Sequence, residues 1–563
     1  MKLFERSVRR ARIAYFSMEI ALRPEVHTYS GGLGVLAGDT ARSAADLDLP
    51  MVFVTLLSRQ GYVHQEITPS GEQASGSNPW SPADWTEPLP NMVAVRIEGR
   101  DVWIRPWLYS LECPLGHAIP VLLLDTDLQE NAPEDRRITD VLYGGDDAYR
   151  LKQEIVLGIG GHLILQALGF AIEKFHLNEG HAALLTLPLL RETRRDDGDA
   201  SSSERQYDTA AVRDRCVFTT HTPVDAGFDR FDYDLVQRIL GDYVEPDVLK
   251  ALGGPKQLNM TQLALNLSGY VNGVARRHAE TARKMFPGYE ISSITNGVHV
   301  HTWTHRAFAE LHASRYLNWA HEPATLAFAD QFEDASVWNA HQNAKTELLT
   351  LIAAATGTQL RDDLPLIGYA RRMTAYKRPG LIFSDIERLI AIAQDHPFQI
   401  VLAGLAHPKD EGGAKAIADF RRHIERLEGI VETVFLPGYD MRLSAALVAG
   451  CDIWLNTPLA PLEASGTSGM KAALNGVLNL SVLDGWWLEG CVDGVTGWSI
   501  EGTPPGSGDG PALYAKLEDV VLPLYHRDRP KWIWMMKQAI SKIGPSFNSH
   551  RMMQRYVTEA YLR

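Results

Sequence analysis

The sequence predicts an α/β protein made of two Rossmann-like, doubly wound domains that face each other across a cleft. Three observations carry that expectation. Short apolar runs with strand character alternate with helical patterns through most of the chain, which is the pattern of parallel sheets covered by helices. The length of 563 residues exceeds what one hydrophobic core supports. Glycine-rich or cation-rich turns directly follow several of the strand-like runs, where open parallel sheets bind their ligands.

In order along the chain, the first part reads as strands at 13–16, 51–57, 119–124, 174–177, 217–220 and 291–294. A hairpin at 92–107, turning at Glu98-Gly99-Arg100, falls between the second and third of these, and a helix is expected at 35–47. The second part reads as strands at 366–369, 399–402, 433–436, 453–455 and 477–482, separated by helices such as 415–427 and 443–449. The two halves meet within 297–338, which puts the domains at 1–298 and 299–563. A last helix at 534–561 is expected to cross back towards the first domain. Residues 191–208, rich in Asp, Ser and Gly, read as a surface loop rather than a linker. The apolar run 155–172 carries His162, Gln166 and four glycines, so it reads as a buried core helix and not as a membrane span.

Bulk properties narrow the function. A composition of 45% hydrophobic and 22% charged residues is that of an ordinary globular protein. A net charge of -14 argues against a nucleic-acid partner. The four cysteines are widely spaced with no C-x-x-C pair, as expected of buried thiols in a reducing compartment. The charged stretch 1–12 lacks the apolar core of a secretory signal, so a cytoplasmic location without membrane association is expected.

The most informative segment is Glu463-Ala464-Ser465-Gly466-Thr467-Ser468-Gly469-Met470-Lys471, which follows the strand at 453–455 and runs into the helix formers Ala472, Ala473 and Leu474. A glycine-rich turn ahead of a helix offers unpaired N–H groups to an anion. With a lysine one turn in and an acid at its mouth, it suits a phosphate and a sugar bound together. By itself it also fits a capped surface turn. Tyr29-Ser30-Gly31-Gly32-Leu33-Gly34 repeats the strand–glycine turn–helix pattern in the first half, and by itself also fits a tight turn without ligand. Arg371-Arg372-Met373-Thr374-Ala375-Tyr376-Lys377-Arg378 puts four cations in eight residues at a strand's carboxyl end, inside the expected cleft rather than on a solvated face. Thr295-Asn296-Gly297 reads as a turn at the junction. Thr220-His221-Thr222-Pro223 and His176-Leu177-Asn178-Glu179-Gly180-His181 read as cleft-facing loops. Their histidines lack a carboxylate–histidine spacing on one helix, so no metal site is expected.

Taken together, 456–485 resembles the pyridoxal-phosphate signature of the α-glucan phosphorylases. Gly466-Thr467-Ser468-Gly469-Met470-Lys471 and Leu483-Asp484-Gly485-Trp486-Trp487 place it nearest the short bacterial and archaeal branch. Further similar pieces are Arg150-Leu151-Lys152-Gln153-Glu154, Asn272-Gly273-Val274-Ala275-Arg276 and Pro437-Gly438-Tyr439, so the likeness runs from about residue 13 to 490. The resemblance implies a GT-B-type fold and reversible phosphorolysis of an α-1,4-glucan or maltodextrin by inorganic phosphate to glucose 1-phosphate. It implies pyridoxal 5'-phosphate held by Lys471 as a Schiff base, the cofactor's phosphate serving as general acid and base. Arg371, Thr467, Ser468 and Tyr439 would surround the cofactor. Arg372 and Lys377, with Gly31, Gly32 and Leu33, would hold the substrate phosphate. Glu463, Asn296, Tyr376, Ser465 and Gly466 would orient the sugar, with His221 bordering it. A homo-oligomer is left open.

Two departures stand out. Gly269 stands where many members carry a sugar-contacting histidine, and Leu405 stands where a lysine is usual. A lost donor would weaken affinity and selectivity. The N-terminal regulatory extension of the animal enzymes has no counterpart, so a phosphorylation switch of that type is not expected. Two other functions stay open on these grounds. One is a cofactor-free, nucleotide-sugar α-glucan synthase type of glycosyltransferase; the other is a non-catalytic glucan-binding homologue.

Overall fold

All five residues of strand Ile13–Ser17 are buried, as in a strand covered on both faces. In the computed structural model, which describes residues 2–68, 71–194, 207–224 and 227–563, this strand pairs in parallel with Met51–Leu56 on one side and Lys174–Asn178 on the other. It is the centre of a ten-stranded sheet. On one side the order continues through Cys216–Thr219 and Tyr270–Gly273 to Ser292–Ser293. On the other it runs through Ala118–Asp125 to an antiparallel edge made by Arg100–Glu112, Val93–Ile97 and Glu87–Pro88. A second, six-stranded sheet is wholly parallel, in the order Thr433–Leu436, Gln399–Ala403, Leu366–Ala370, Ile453–Asn456, Leu478–Val482, Gly497–Ile500. The architecture is thus mixed α/β with parallel sheets covered by helices.

The pleat sorts alternate residues of one strand to opposite cores. Ala14 and Phe16 pack with Val52, Val54 and the apolar helices of 155–190, whereas Ile13 and Tyr15 pack with Met51, Phe53 and helix Gly32–Asp46. In each sheet the chain reverses its winding direction beside one strand, Ile13–Ser17 in the first and Leu366–Ala370 in the second. Ligands of open α/β sheets bind at such switch points, beyond the carboxyl ends of the strands. Those ends lead here to Glu19 and to the arginines 371 and 372.

Several expectations are refined. The run 155–172 continues helix Asp147–Ile155 through a fully buried wide (π) turn, Val156–Gly160, into Gly161–Ala167, whose last two residues are exposed. Its glycines allow close approach: a Cβ on Gly161 would sit 2.6 Å from the Phe16 ring. Among the described residues no helix is long and apolar enough to cross a membrane. The helix expected at 534–561 is divided. Arg529–Ile543 ends before Gly544-Pro545, and Ser549–Tyr556 restarts behind an Asn548 cap that accepts from the Arg551 N–H. Proline lacks the N–H a continuous helix would need there. The second piece, continued by a π turn Val557–Tyr561, lies on the first sheet, with Tyr561 Oη 2.7 Å from His176 Nδ1. Strands Tyr270–Gly273 and Gly497–Ile500 were not expected, because each is only four residues long and its apolar pattern is broken by glycine and polar residues. Of the loop expected at 191–208, residues 195–206 lie outside the described residues.

Candidate active site

The two switch points open on one cavity of about 760 Å³. Every residue given a cofactor, phosphate or sugar role lines it: Gly31, Gly32, Leu33, His221 and Asn296 from the first half of the chain, and Arg371, Arg372, Tyr376, Lys377, Tyr439, Glu463, Ser465, Gly466, Thr467, Ser468 and Lys471 from the second, whereas His176, expected on a cleft-facing loop, lies inside strand Lys174–Asn178 against Tyr561.

On the first-sheet side, Glu19 organises the glycine turn. Its Oε2 accepts from the N–H groups of Ser30 (2.6 Å) and Gly31 (3.2 Å), and its Oε1 from the Tyr143 hydroxyl (2.9 Å). The Gly31 N–H is therefore already committed, which leaves an anion to Gly32 and Leu33 at the opening of the fifteen-residue helix Gly32–Asp46. A Cβ on Gly32 would meet nothing within 4 Å, and one on Gly31 would lie 3.2 Å from Arg372 Nη2. Arg372 reaches across from the second sheet and donates to Ser30 Oγ at 3.1 Å. The space between Gly32 and Arg372 is lined by a helix start and a guanidinium.

Behind it, Glu463 accepts from Arg371 Nη2 and from Lys377 Nζ, the latter at 2.6 Å to each carboxylate oxygen. Burial alone would raise the Glu463 pKa, yet the two cations hold it down to about 2. Burial and the neighbouring Arg371 push Lys377 down to about 8. Arg371 and Lys377, expected on the two phosphates, are thus paired with the acid expected on the sugar. Among the described residues, Arg371 Nε and Nη1 and Ser465 Oγ are buried without a partner. Such orphaned donors are costly unless a bound group completes them.

Lys471 lies in helix Ser468–Leu474, with its Nζ 3.5 Å from the Trp303 ring centroid. Burial pushes its amine down to about 8, so an unprotonated, nucleophilic amine is accessible near neutral pH. Trp303 in turn donates its indole N–H to Asp39, at 2.8 Å to Oδ2. A depressed lysine against an aromatic face, in one cavity with the orphaned polar atoms of Arg371 and Ser465, fits a phosphorylated cofactor that carries an aldehyde.

Opposite lies His221. Its Nε2 is 2.7 Å from Asn178 Oδ1, and Asn178 Nδ2 donates to Ser17 Oγ, which fixes the amide orientation. Nε2 therefore carries the proton and Nδ1 is left as an acceptor. Burial holds this imidazole neutral, well below its usual pKa. Glu179 accepts from the His221 N–H (2.7 Å) and the Thr222 hydroxyl (2.9 Å), and its own backbone is held at φ +70°. Strain of that kind costs about 1–3 kcal/mol and is retained where surrounding bonds over-determine it.

The departures look different in three dimensions. Gly269 precedes strand Tyr270–Gly273 at its amino end, away from the cavity, and its N–H donates to the Arg213 and Cys216 carbonyls. A Cβ there would sit 2.6 Å from Arg213 O, so Gly269 is a packing position and not a vacated sugar contact. Leu405 does line the cavity, and so does Lys409, whose Nζ donates to Gly145 O at 2.7 Å. A cation is therefore present four residues beyond the expected place. Asp46, His299 and His550 are close enough to ligate a metal, but both imidazoles place Nε2 within 2.8 Å of Asp46 Oδ2 as hydrogen bonds, outside the cavity.

Sequence reasoning missed Glu19, Tyr143, Asp39 and Lys409. An acid two residues beyond the first strand was a usable signal for Glu19. The others are brought in from distant segments and carry none.

The chain matches the family model described as carbohydrate phosphorylase over residues 229–491. It is 38% identical to maltodextrin phosphorylase of Thermococcus litoralis, over 98% of this chain and 70% of that one. It is 36% identical to glycogen phosphorylase of Mycobacterium tuberculosis over the same shares, and 34% identical to that of Aquifex aeolicus over 98% of this chain and 86% of that one. A lysine, an arginine pair and a glycine turn converging on one cavity belong with that likeness, and the chain is a member of the carbohydrate phosphorylase family.

Proposed function

We propose that this protein catalyses the reversible phosphorolysis of α-1,4-glucans, releasing α-glucose 1-phosphate and a glucan one unit shorter. The observation that carries the reading is that Arg371, Arg372, Gly32 and Lys471 line one cavity, which would give it room for two anions. One would lie between Gly32 and Arg372, which donates to Ser30 Oγ, and the other at Arg371 Nε and Nη1, which have no partner among the described residues. Two phosphates held so close repel by several kcal/mol in a poorly hydrated site, and only cations offset that.

Residues 1–298 and 299–563 act in this account as the two facing domains of a GT-B-type enzyme. Lys471 holds pyridoxal 5'-phosphate covalently, with Arg371, Thr467, Ser468 and Tyr439 around it. When bound, that group supplies a phosphate whose second ionisation lies near neutrality and which can exchange a proton with the substrate phosphate. Arg372, Gly32 and Leu33 orient the substrate phosphate so that it protonates the leaving glycosidic oxygen and attacks the same face of an oxocarbenium-like carbon. Configuration is retained. Glu463, with Lys377, sets the charge of the pocket wall, while Asn296, Tyr376 and His221 Nδ1 address sugar hydroxyls. Among the described residues Asn296 Oδ1 is buried without a partner, as a sugar contact would be before substrate arrives.

The test is phosphate-dependent release of glucose 1-phosphate from maltodextrin. Arg372→Ala is expected to lower it by about two orders of magnitude or more. Wild-type protein that binds maltodextrin but releases no glucose 1-phosphate defeats the proposal.

A further inference from the structure

We propose that Gln65 and Gln73 are positioning residues of the phosphate site, and that the hairpin carrying them clamps the arginine-bearing wall against the glycine turn. The hairpin, His64–Ile67 paired with Gln73–Gly76, belongs to neither large sheet. It departs from the first half of the chain and ends on the strand-end loops of the second.

Its contacts are unusually complete. Gln65, only 4% exposed, donates from Nε2 to Gly404 O (2.9 Å) and accepts at Oε1 from the Gly438 N–H (3.0 Å). Gln73 pairs with Ala406 as a strand would: Nε2 donates to Ala406 O (2.9 Å) and Oε1 accepts from Ala406 N–H (3.0 Å). Gln65 Nε2 also donates to Gln73 Oε1 at 2.9 Å, joining the two amides. Two neutral side chains thereby fix three backbone positions, each on a loop that leaves a strand of the second sheet.

Those loops are the backing of the arginine segment. The Arg371 N–H donates to Ala403 O and the Met373 N–H to Leu405 O. Gly404 lies so close that a Cβ would sit 2.0 Å from Arg371 O. Gly438 precedes Tyr439 in the cavity wall. Moving the 404–406 loop therefore moves Arg372 relative to Ser30, Gly31 and Gly32. No residue of the hairpin needs to touch substrate for this to matter, because a phosphate between Arg372 and Gly32 is sensitive to their spacing.

The inference rests on the phosphorolysis reading, and its signature is a split between the two substrates. Gln73→Ala, at a partly exposed position, is expected to fold normally, with an unshifted thermal midpoint. Its KM for phosphate should rise about tenfold, while kcat and the KM for maltodextrin change less than about threefold. Gln65→Glu, which keeps the volume but faces Gly404 O with a carboxylate, should shift the phosphate KM in the same direction. Calorimetric titration with inorganic phosphate should show the same loss of affinity. A phosphate KM and affinity unchanged in both variants overturn the clamp, as does a fall in kcat alone. Failure of the wild type to form glucose 1-phosphate defeats the reading instead. In that event calorimetric phosphate affinity, wild type against Gln73→Ala, still decides for or against the clamp.

Discussion

Lys471 Nζ rests 3.5 Å from the centre of the Trp303 ring, and the N–H of that ring is donated to Asp39. Three elements from both halves of the chain thus meet at one amine: helix Ser468–Leu474, the turn Val300–Trp303 and helix Gly32–Asp46. Burial lowers the amine pKa to about 8, opposed by the charge of Asp39 and assisted by that of Arg42. Covalent uptake of pyridoxal phosphate by cofactor-free protein should therefore accelerate about tenfold between pH 7 and pH 9, as the neutral fraction grows. Near-ultraviolet absorbance after borohydride reduction measures it. A flat profile, or a reduced adduct in Lys471→Ala, contradicts the assignment.

Glu463→Gln should leave Arg371 and Lys377 buried without their counter-charge. A loss of about 3–5 kcal/mol is expected from denaturant unfolding. The folded pKa of Glu463 lies at about 2, below its ordinary 4.5. Its stabilisation is therefore fully present above the ordinary value and is lost as pH falls through about 2. The stability gap between wild type and Glu463→Gln should be widest at neutral pH and close towards pH 2; a gap independent of pH rules out the ion-pair account.

Gly32→Ala separates fold from site. The added methyl meets nothing within 4 Å among the described residues, so stability should be unchanged or higher by about 0.5–1 kcal/mol. Standing where the helix start faces Arg372, the methyl should raise the phosphate KM roughly tenfold or more. An unaltered phosphate KM would move the anion elsewhere.

His221→Ala should lower kcat/KM for maltodextrin by about a hundredfold through loss of an acceptor in a buried site. The cofactor absorbance should be untouched. Because burial keeps this imidazole neutral, the wild-type rate profile should show no limb near pH 6.5 that disappears in the variant.

Much of the fold was legible because the parallel strands of the two sheets are short, continuous and apolar, and their periodicity is local. Strand Ile13–Ser17 and strand Leu366–Ala370 were both recognisable for that reason. The exceptions were four-residue strands broken by glycine and polar residues, such as Tyr270–Gly273. The residues that line the cavity were legible on the same terms. Lys471, Arg371, Arg372 and the glycine turns stand in contiguous motifs. Gly269 misled because nearness in sequence to Asn272-Gly273 says nothing about which end of the strand faces the cavity.

The chain order alone settled which chemistry is available: an amine behind a glycine-rich turn, paired arginines after one strand, and a helix start after another. The folded arrangement decided how these are used. It gave Glu463 to Arg371 and Lys377, put Trp303 and Asp39 beneath Lys471 across 264 positions of sequence, and set Gln73 against Ala406 across 333. Charge pairing and burial depend on distances between segments that no local pattern encodes, and those distances govern whether an amine is neutral or a guanidinium free to meet a phosphate.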